Sequence, residues 1–317
     1  MSLYTLQVFG CTDTGNVRPV NEDHILVGRF VKNSGSMGIE CLDNDDFLAT
    51  FGMLFAVADG IGGEQSGEVA SKITLQTIER HFYSFERTYA NIETFSDAVK
   101  ASAMRANDTV MHVAASGVEF TGMGCTLTGV CITRSGYLVF NAGDSRVYRY
   151  RSGFLKQLTD DDTLVNIAVR SGQMTYEEAA VSDARHTITN SIGGPNFTLK
   201  IKEGPELRDA DRLLICSDGL HDLVPIERME EIIGSCTVDE AGRMLLAEAK
   251  LNGGTDNISL ILLYYKDFEK HEANESVKPE IAQETTFITF ESSITNQNDL
   301  ALQTIGNGAE GGHDNKI

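Results

Sequence analysis

Residues 54–63 read LFAVADGIGG, and the rest of the chain is organised around them. Leu54, Phe55, Ala56, Val57 and Ala58 form an unbroken apolar run, the pattern of a buried strand. Asp59 follows at once, and Gly60, Gly62 and Gly63 then release the backbone into a tight turn. A carboxylate fixed at the end of a core strand, with glycine beside it, is a rigid metal ligand next to a chain that can approach closely. The same letters also describe an ordinary strand capped by a polar turn.

The design recurs. Ile215-Cys216-Ser217-Asp218-Gly219 repeats it, as does Asn141-Ala142-Gly143-Asp144-Ser145. Gly253-Gly254-Thr255-Asp256-Asn257 places an acid and glycines directly before the apolar run from Ile258. Brought to one point, Asp59, Asp144, Asp218 and Asp256 would raise one another's pKa unless a cation sat among them. Oxygen ligands without His or Cys partners select Mg²⁺ or Mn²⁺ over zinc. Two such ions about 3.5–4 Å apart activate a water against a phosphorus centre. Spacing alone leaves convergence open, since four independent turns would carry no chemistry.

Composition narrows the function classes. The 317 residues suit a single large core, and 41% hydrophobic with 23% charged residues is ordinary for a globular protein. With 46 acidic against 26 basic side chains the net charge is −20, a field that repels nucleic acid and anionic membranes. Cys11, Cys41, Cys125, Cys131, Cys216 and Cys236 are scattered, without CxxC spacing, so free thiols in a reducing compartment are expected. Neither a signal peptide nor a membrane span is read, which points to the cytoplasm.

Along the chain, residues 4–10 alternate as a half-buried strand and residues 24–30 read as a second strand. Residues 34–50 are rich in glycine and acid and suggest an extended hairpin insertion, with Asp43, Asp45 and Asp46 in a solvated turn rather than a calcium loop. Ser66 is a candidate N-cap for a helix carrying Val69, Ile73, Ile78 and Phe82, and residues 95–115 form a second amphipathic helix. Three β runs follow at residues 123–133, 136–142 and 146–151, then short helices at 164–172 and 176–180. A strand at 212–216, helices at 227–234 and 238–251, and a strand at 257–265 complete the ordered part. The expected fold class is α+β, with two antiparallel sheets face to face and helices outside. Residues 267–317 turn acidic and Thr/Ser-rich and are expected to be a disordered tail, with a short β segment TFITF at 286–290.

In order, TDTGNVRPVNEDH, LFAVADGIGGEQSGEVAS, GMGCTLTG, NAGDSRVYRYRSG, LTDDDTLV, ICSDGLHD and GGTDNISLILL run from Thr12 to Leu263. The series resembles the protein phosphatase 2C (PPM) family, in its bacterial serine/threonine phosphatase branch, over residues 1–266. The resemblance implies a four-layer α-β-β-α sandwich with flanking helix pairs and a flap subdomain at about residues 158–202. It implies two Mn²⁺ or Mg²⁺ ions bridged by Asp59, with the Gly60 carbonyl on one and Asp218 and Asp256 completing the second. Glu22 would act through water, Asp144 would serve a weaker third ion, and Arg18 would clamp the substrate phosphate. The implied reaction is hydrolysis of phosphoserine or phosphothreonine in proteins, by a water bridging the ions, in opposition to a Ser/Thr kinase. The implied partners are phosphoproteins, the cognate kinase or a forkhead-associated domain protein, and the family's usual state is monomeric.

Three departures from the family pattern stand out. Ile61 occupies the position where many animal members carry a His proposed as general acid, and none of the seven histidines (His24, His186 and His221 among them) is an evident substitute. Asp162 stands where relatives carry His, and Asn190 where they often carry Arg. A catalytically dead binding module is the first alternative, opposed by the retained Asp59, Asp218, Asp256 and Arg18. Another two-metal phosphohydrolase is the second. In the tail, Thr285 and Thr286 beside Glu284 form a candidate phosphorylation site.

Overall fold

In the computed structural model, residues 4–42, 46–62, 66–87 and 90–267 are described, and all of them belong to the first of the chain's two compact units. The expectations for Gly63, Asp43, Asp45 and the tail beyond Asp267 lie outside the described residues.

The strands are β1 (Tyr4–Asp13), β2 (His24–Val27), β3 (Phe30–Lys32), β4 (Gly35–Leu42), β5 (Met53–Ala58), β6 (Gly60–Ile61) and β7 (Gly124–Cys125). They continue with β8 (Leu127–Thr133), β9 (Gly136–Ala142), β10 (Arg146–Arg151), β11 (Phe154–Gln157), β12 (Lys200–Glu203), β13 (Arg212–Cys216) and β14 (Ile258–Asp267). The helices are α1 (Asp46–Phe51), α2 (Ser66–Phe82), α3 (Ile92–Ala114) and α4 (Leu164–Arg170). After these come α5 (Tyr176–Ala180), α6 (Asp218–His221), α7 (Ile226–Ser235) and α8 (Val238–Leu251). One six-stranded sheet has the order β11-β10-β13-β14-β1-β4, a second has β12-β9-β8-β5-β2-β3, and β6 pairs with β7 in a small third sheet. Every pairing is antiparallel.

The layering follows from which side chains each strand sends to which face. In β5, Met53, Phe55 and Val57 enter the core between the sheets, where they meet Val130, Ile215 and Ile261. Leu54, Ala56 and Ala58 point the other way, into a core shared with Leu75, Ile78 and Phe82 of α2 and Val99 and Val110 of α3. In β14, Ile261 and Leu263 face the same inter-sheet core, while Ile258, Leu260 and Leu262 pack on Ile232 of α7 and Leu245 of α8. Antiparallel strands usually alternate apolar with polar; these do not, because helices cover both outer faces. The α-β-β-α sandwich is therefore written in the continuous apolar runs of its central strands. Asn91 caps α3, and Thr237 with Glu240 forms a capping box on α8, so the outer helices are punctuated by their own sequence.

Three local readings are corrected. Residues 24–30 form two strands, because Gly28 at φ +61° turns the chain between β2 and β3. Residues 34–50 are not a hairpin insertion: β4 is the edge strand paired to β1, and α1 follows. Ser66 lies inside α2 rather than capping it, and its hydroxyl donates to the Glu119 carbonyl 2.8 Å away. No helix among the described residues is long and apolar enough to cross a membrane.

Candidate active site

Asp59 follows β5, Asp144 follows β9, Asp218 follows β13 and Asp256 precedes β14, all at one end of the sandwich. Loss of water and the charges of Asp23, Asp218, Asp144 and Asp256 hold the Asp59 carboxyl well above the usual carboxylate range. Burial and Asp218 push Asp144 up to about 7. Desolvation raises Asp218 as well, with Asp256 and Asp222 adding to it against His221. The four acids expected from sequence thus stand close enough to feel one another's charge.

Asp23 is a fifth, which sequence reasoning passed over. It is fully buried, with burial and the charges of Asp218 and Asp256 pushing it up to about 7. The Ser217 hydroxyl donates to Asp23 Oδ2 at 2.8 Å, while Asp23 Oδ1 and Asp218 Oδ1 are buried without a hydrogen-bond partner. A buried carboxylate oxygen with no donor costs stability unless a cation or proton joins it. The signal was present in Asn21-Glu22-Asp23, where only Glu22 received a role. Glu22 is tied to Asn257, its backbone N–H donating to Asn257 Oδ1 at 2.8 Å, and its carboxylate lies against Gly67 of α2.

The loops that carry these acids are sewn together by amides. Asn257 Nδ2 donates to the Thr14 and Val20 carbonyls, both at 3.0 Å. Asn16 Nδ2 reaches the Lys250 carbonyl at 2.8 Å, and the Asn16 N–H reaches Gly254 O at 2.8 Å. The approach is close enough to require glycine at Gly219, where a Cβ would stand 1.9 Å from the Asn257 carbonyl oxygen. Gly219→Ala is expected to cost about 1–3 kcal/mol by overpacking. Because the strain falls between Asp218 and Asp256, Mn²⁺ binding weakens with it. A denaturation curve and a metal titration check the pair, and unchanged metal affinity would refute the coupling.

Arg18, on the β1–β2 loop, is half exposed, and its Nη2 lies 2.7 Å from Asp256 Oδ2. That contact and the nearby Glu22 and Asp59 raise its already high pKa further, so the guanidinium is permanently charged. Arg18, Asp144, Asp218 and Asp256 line a cleft of about 1150 Å³, whose opposite wall is built from the segment containing α4 and α5. Beside that wall Asp162, which replaces the expected His, accepts from Asn190 Nδ2 at 2.7 Å and from the Gly143 N–H at 3.2 Å, and it pairs with Lys200. The two departures noted in sequence are therefore direct partners, and they brace the turn that carries Asp144.

Two histidines, His186 and His221, also enter the site. His221 Nε2 lies 3.2 Å from the Asp144 carbonyl, and its Nδ1 2.9 Å from Asp222 Oδ1. His186 reaches over from the α5 side, as considered below. Ile61 is fixed in β6 against Gly124 and carries no proton to donate. Of the cysteines, Cys11, Cys41, Cys125, Cys131 and Cys216 are buried as small apolar groups, with burial pushing Cys11 and Cys125 up to about 12.

Four layers with an acid-lined cleft at the sheet ends define the class, an α-β-β-α sandwich whose polar centre is made of carboxylates. The chain belongs to the protein phosphatase 2C family, whose model matches residues 40–245. It is 30% identical over 255 residues to the serine/threonine phosphatase stp of Listeria monocytogenes, spanning 80% of this chain and 93% of that one. The S. agalactiae serine/threonine phosphatase superposes with a TM-score of 0.70 at 28% identity, covering 82% of this chain and 99% of that one. The catalytic domain of the phosphatase PstP, solved in complex with two manganese ions, gives a TM-score of 0.65 at 28% identity, covering 83% of this chain and 100% of that domain. The chain is thus a bacterial-type serine/threonine protein phosphatase, a hydrolase.

Proposed function

We propose that the chain hydrolyses phosphoserine and phosphothreonine monoesters in proteins with two Mn²⁺ or Mg²⁺ ions at Asp59, and that it opposes a Ser/Thr kinase. The observation that carries the reading is the convergence of Asp23, Asp59, Asp144, Asp218 and Asp256, two of them with orphaned buried oxygens, beside a permanently charged arginine. Hard carboxylate donors fit Mg²⁺ and Mn²⁺, and the cluster's mutual repulsion is the mark of a site built for cations. Asp59, whose carboxyl feels the charge of Asp23, Asp218, Asp144 and Asp256, would hold both ions, with the Gly60 carbonyl, Asp218 and Asp256 as further ligands and Glu22 through water. When bound, the ions supply an activated water and neutralise charge on the phosphate. Asp144 would hold a third, weaker ion.

Arg18 provides phosphate recognition, since its guanidinium can form paired hydrogen bonds to two phosphate oxygens. Its present partner is Asp256, a ligand whose charge an ion would claim, so ion binding frees Arg18 for substrate. Arg18→Ala is expected to raise KM for a phosphopeptide about 10- to 100-fold, the worth of hydrogen bonds to charged groups, with a smaller change in kcat. An unchanged KM would remove Arg18 from substrate binding. The cleft opens widely between Arg18 and the α4–α5 wall, which suits a side chain presented on a protein surface. The reading is tested by phosphate release from a phosphothreonine peptide with Mn²⁺, its abolition by EDTA, and recovery on adding metal back. Turnover that persists in EDTA would sink it.

A further inference from the structure

His186 enters the acidic cleft from the segment between α5 and β12. It is 45% exposed, and its Nδ1 lies 3.9 Å from Asp218 Oδ2 and 3.6 Å from Asp222 Oδ2, beyond hydrogen-bond range of either. Asp144, His186 and Asp218 each offer one ligand atom, and the three atoms lie within 4.8 Å of one another. Asp218 has a second, buried oxygen with no partner, so one carboxylate can serve the Asp59 centre and this cluster at once.

The backbone holds His186 in place from its C-terminal side. Leu164 N–H donates to the Thr187 carbonyl at 2.9 Å, Thr189 N–H to the Asp162 carbonyl at 2.8 Å, and Thr163 bridges Ile188. Thus the imidazole is carried by a strip paired to residues 162–164, the same residues that brace the Asp144 turn. His186, Arg185 and Tyr176 also line the substrate cleft opposite Arg18.

We infer that His186 is the nitrogen ligand of the third cation site, with Asp144 and Asp218, and that ion binding there fastens the α4–α5 wall over the substrate cleft. The inference rests on the two-ion reading of the Asp59 centre and adds to it a ligand, a selectivity and a regulatory consequence. An all-oxygen set favours Mg²⁺, which prefers to keep its water shell. One imidazole in the set shifts preference to borderline transition ions such as Mn²⁺ or Zn²⁺. First-row ions bind such donors at about 2.0–2.2 Å, so the three ligand atoms draw together when the ion enters. That movement pulls the His186 strip toward both sheets, because Asp144 follows β9 of one and Asp218 follows β13 of the other. The third ion then acts as a clasp, and access of phosphoprotein to Arg18 depends on transition-metal supply.

The test uses the full chain in saturating Mg²⁺, titrated with Zn²⁺ and followed through imidazole ¹⁵N resonances. The His186 signal is identified by its disappearance in His186→Gln. The expected result is movement of one His186 nitrogen into the metal-coordinated range. In parallel, tryptic cleavage after Arg170 in α4 should slow about tenfold on adding Zn²⁺ to the wild type, the equivalent of about 1.4 kcal/mol, and not in His186→Gln. A His186 resonance that stays put while Mg²⁺ still stabilises the protein overturns the ligand assignment alone. Equal protection of both proteins overturns the clasp. If Mg²⁺ neither stabilises the wild type nor supports turnover, the two-ion reading fails, and this inference fails with it.

Discussion

Asp59→Asn should abolish metal-dependent turnover, by roughly 10³-fold or more, and at the same time raise the thermal midpoint of the metal-free protein. The first half follows from position. Asp59 is the acid on which Asp23, Asp218, Asp144 and Asp256 all act, so on the proposed two-ion reading it is the ligand the cations would share. Removing a charge that stabilises the transition state of phosphoryl transfer is costly, because electrostatic stabilisation and positioning are nearly all the catalysis available there. The second half follows from the same repulsion. With no ion bound, Asp59 is a desolvated carboxyl among like charges, and a neutral isostere relieves that penalty. The backbone contacts survive the change: Asp59 N–H donates to Thr126 Oγ1 at 3.0 Å, and Thr126 N–H donates to the Asp59 carbonyl at 2.8 Å. Activity measured at saturating Mn²⁺ and melting curves in EDTA give the two readouts. A variant that keeps its turnover, or one that melts lower than wild type in EDTA, would contradict the assignment of Asp59 as bridging ligand. The metal-induced rise in midpoint should shrink in the variant as well.

How far the sequence carried depended on the range of the interactions. The central strands were legible because burial on both faces leaves no polar alternation: Met53 to Ala58 is apolar at every position. The edge strand β4 was misread because its acid- and glycine-rich letters resemble a loop. Yet Met37, Ile39 and Cys41 alternate inward there as an edge strand requires. Asp59, Asp144, Asp218 and Asp256 stood out because each interrupts a strand end, a local event. Asp23 was hidden by adjacency: it follows Glu22, and only the fold shows that it turns inward against Ser217 while Glu22 is tied to Asn257. His186 could not have been found by pattern. It reaches Asp144 and Asp218 through the pairing of Thr163 with Ile188, a contact no local spacing encodes. Asp162 and Asn190 were visible as departures, but that they are partners is a tertiary fact.

In EDTA, the protein should lose stability as pH rises from about 6.5 to 8, and Mn²⁺ should reverse the trend. Asp23 and Asp144 are pushed up to about 7 and Asp59 is held well above the usual carboxylate range, so their folded-state values lie above those of the unfolded chain. Groups raised in this way stabilise the fold most below their unfolded values, near pH 4, and the contribution disappears as pH climbs through the folded values. His24 opposes them. Burial lowers it to about 4, so the unfolded chain binds the extra proton between about 4 and 6.5, and stability rises with pH across that interval. Above the ordinary histidine value His24 no longer titrates in either state, and only the acids remain. In that window each proton still held by the fold corresponds to about 1.4 kcal/mol of stability per pH unit. Two or three coupled acids therefore amount to several kcal/mol. A cation replaces those protons, and its binding improves as they leave, so at 100 times its Kd it should return about 2.7 kcal/mol and make stability rise with pH instead. Urea midpoints at pH 6.5, 7.25 and 8, with EDTA and with Mn²⁺, show whether the two curves diverge in this way. A flat or rising EDTA series would mean that Asp23, Asp59, Asp144 and Asp218 do not share one desolvated site. Asp59→Asn should flatten the EDTA series in proportion to the proton it removes, which ties the pH dependence to the acid at the centre of the cluster.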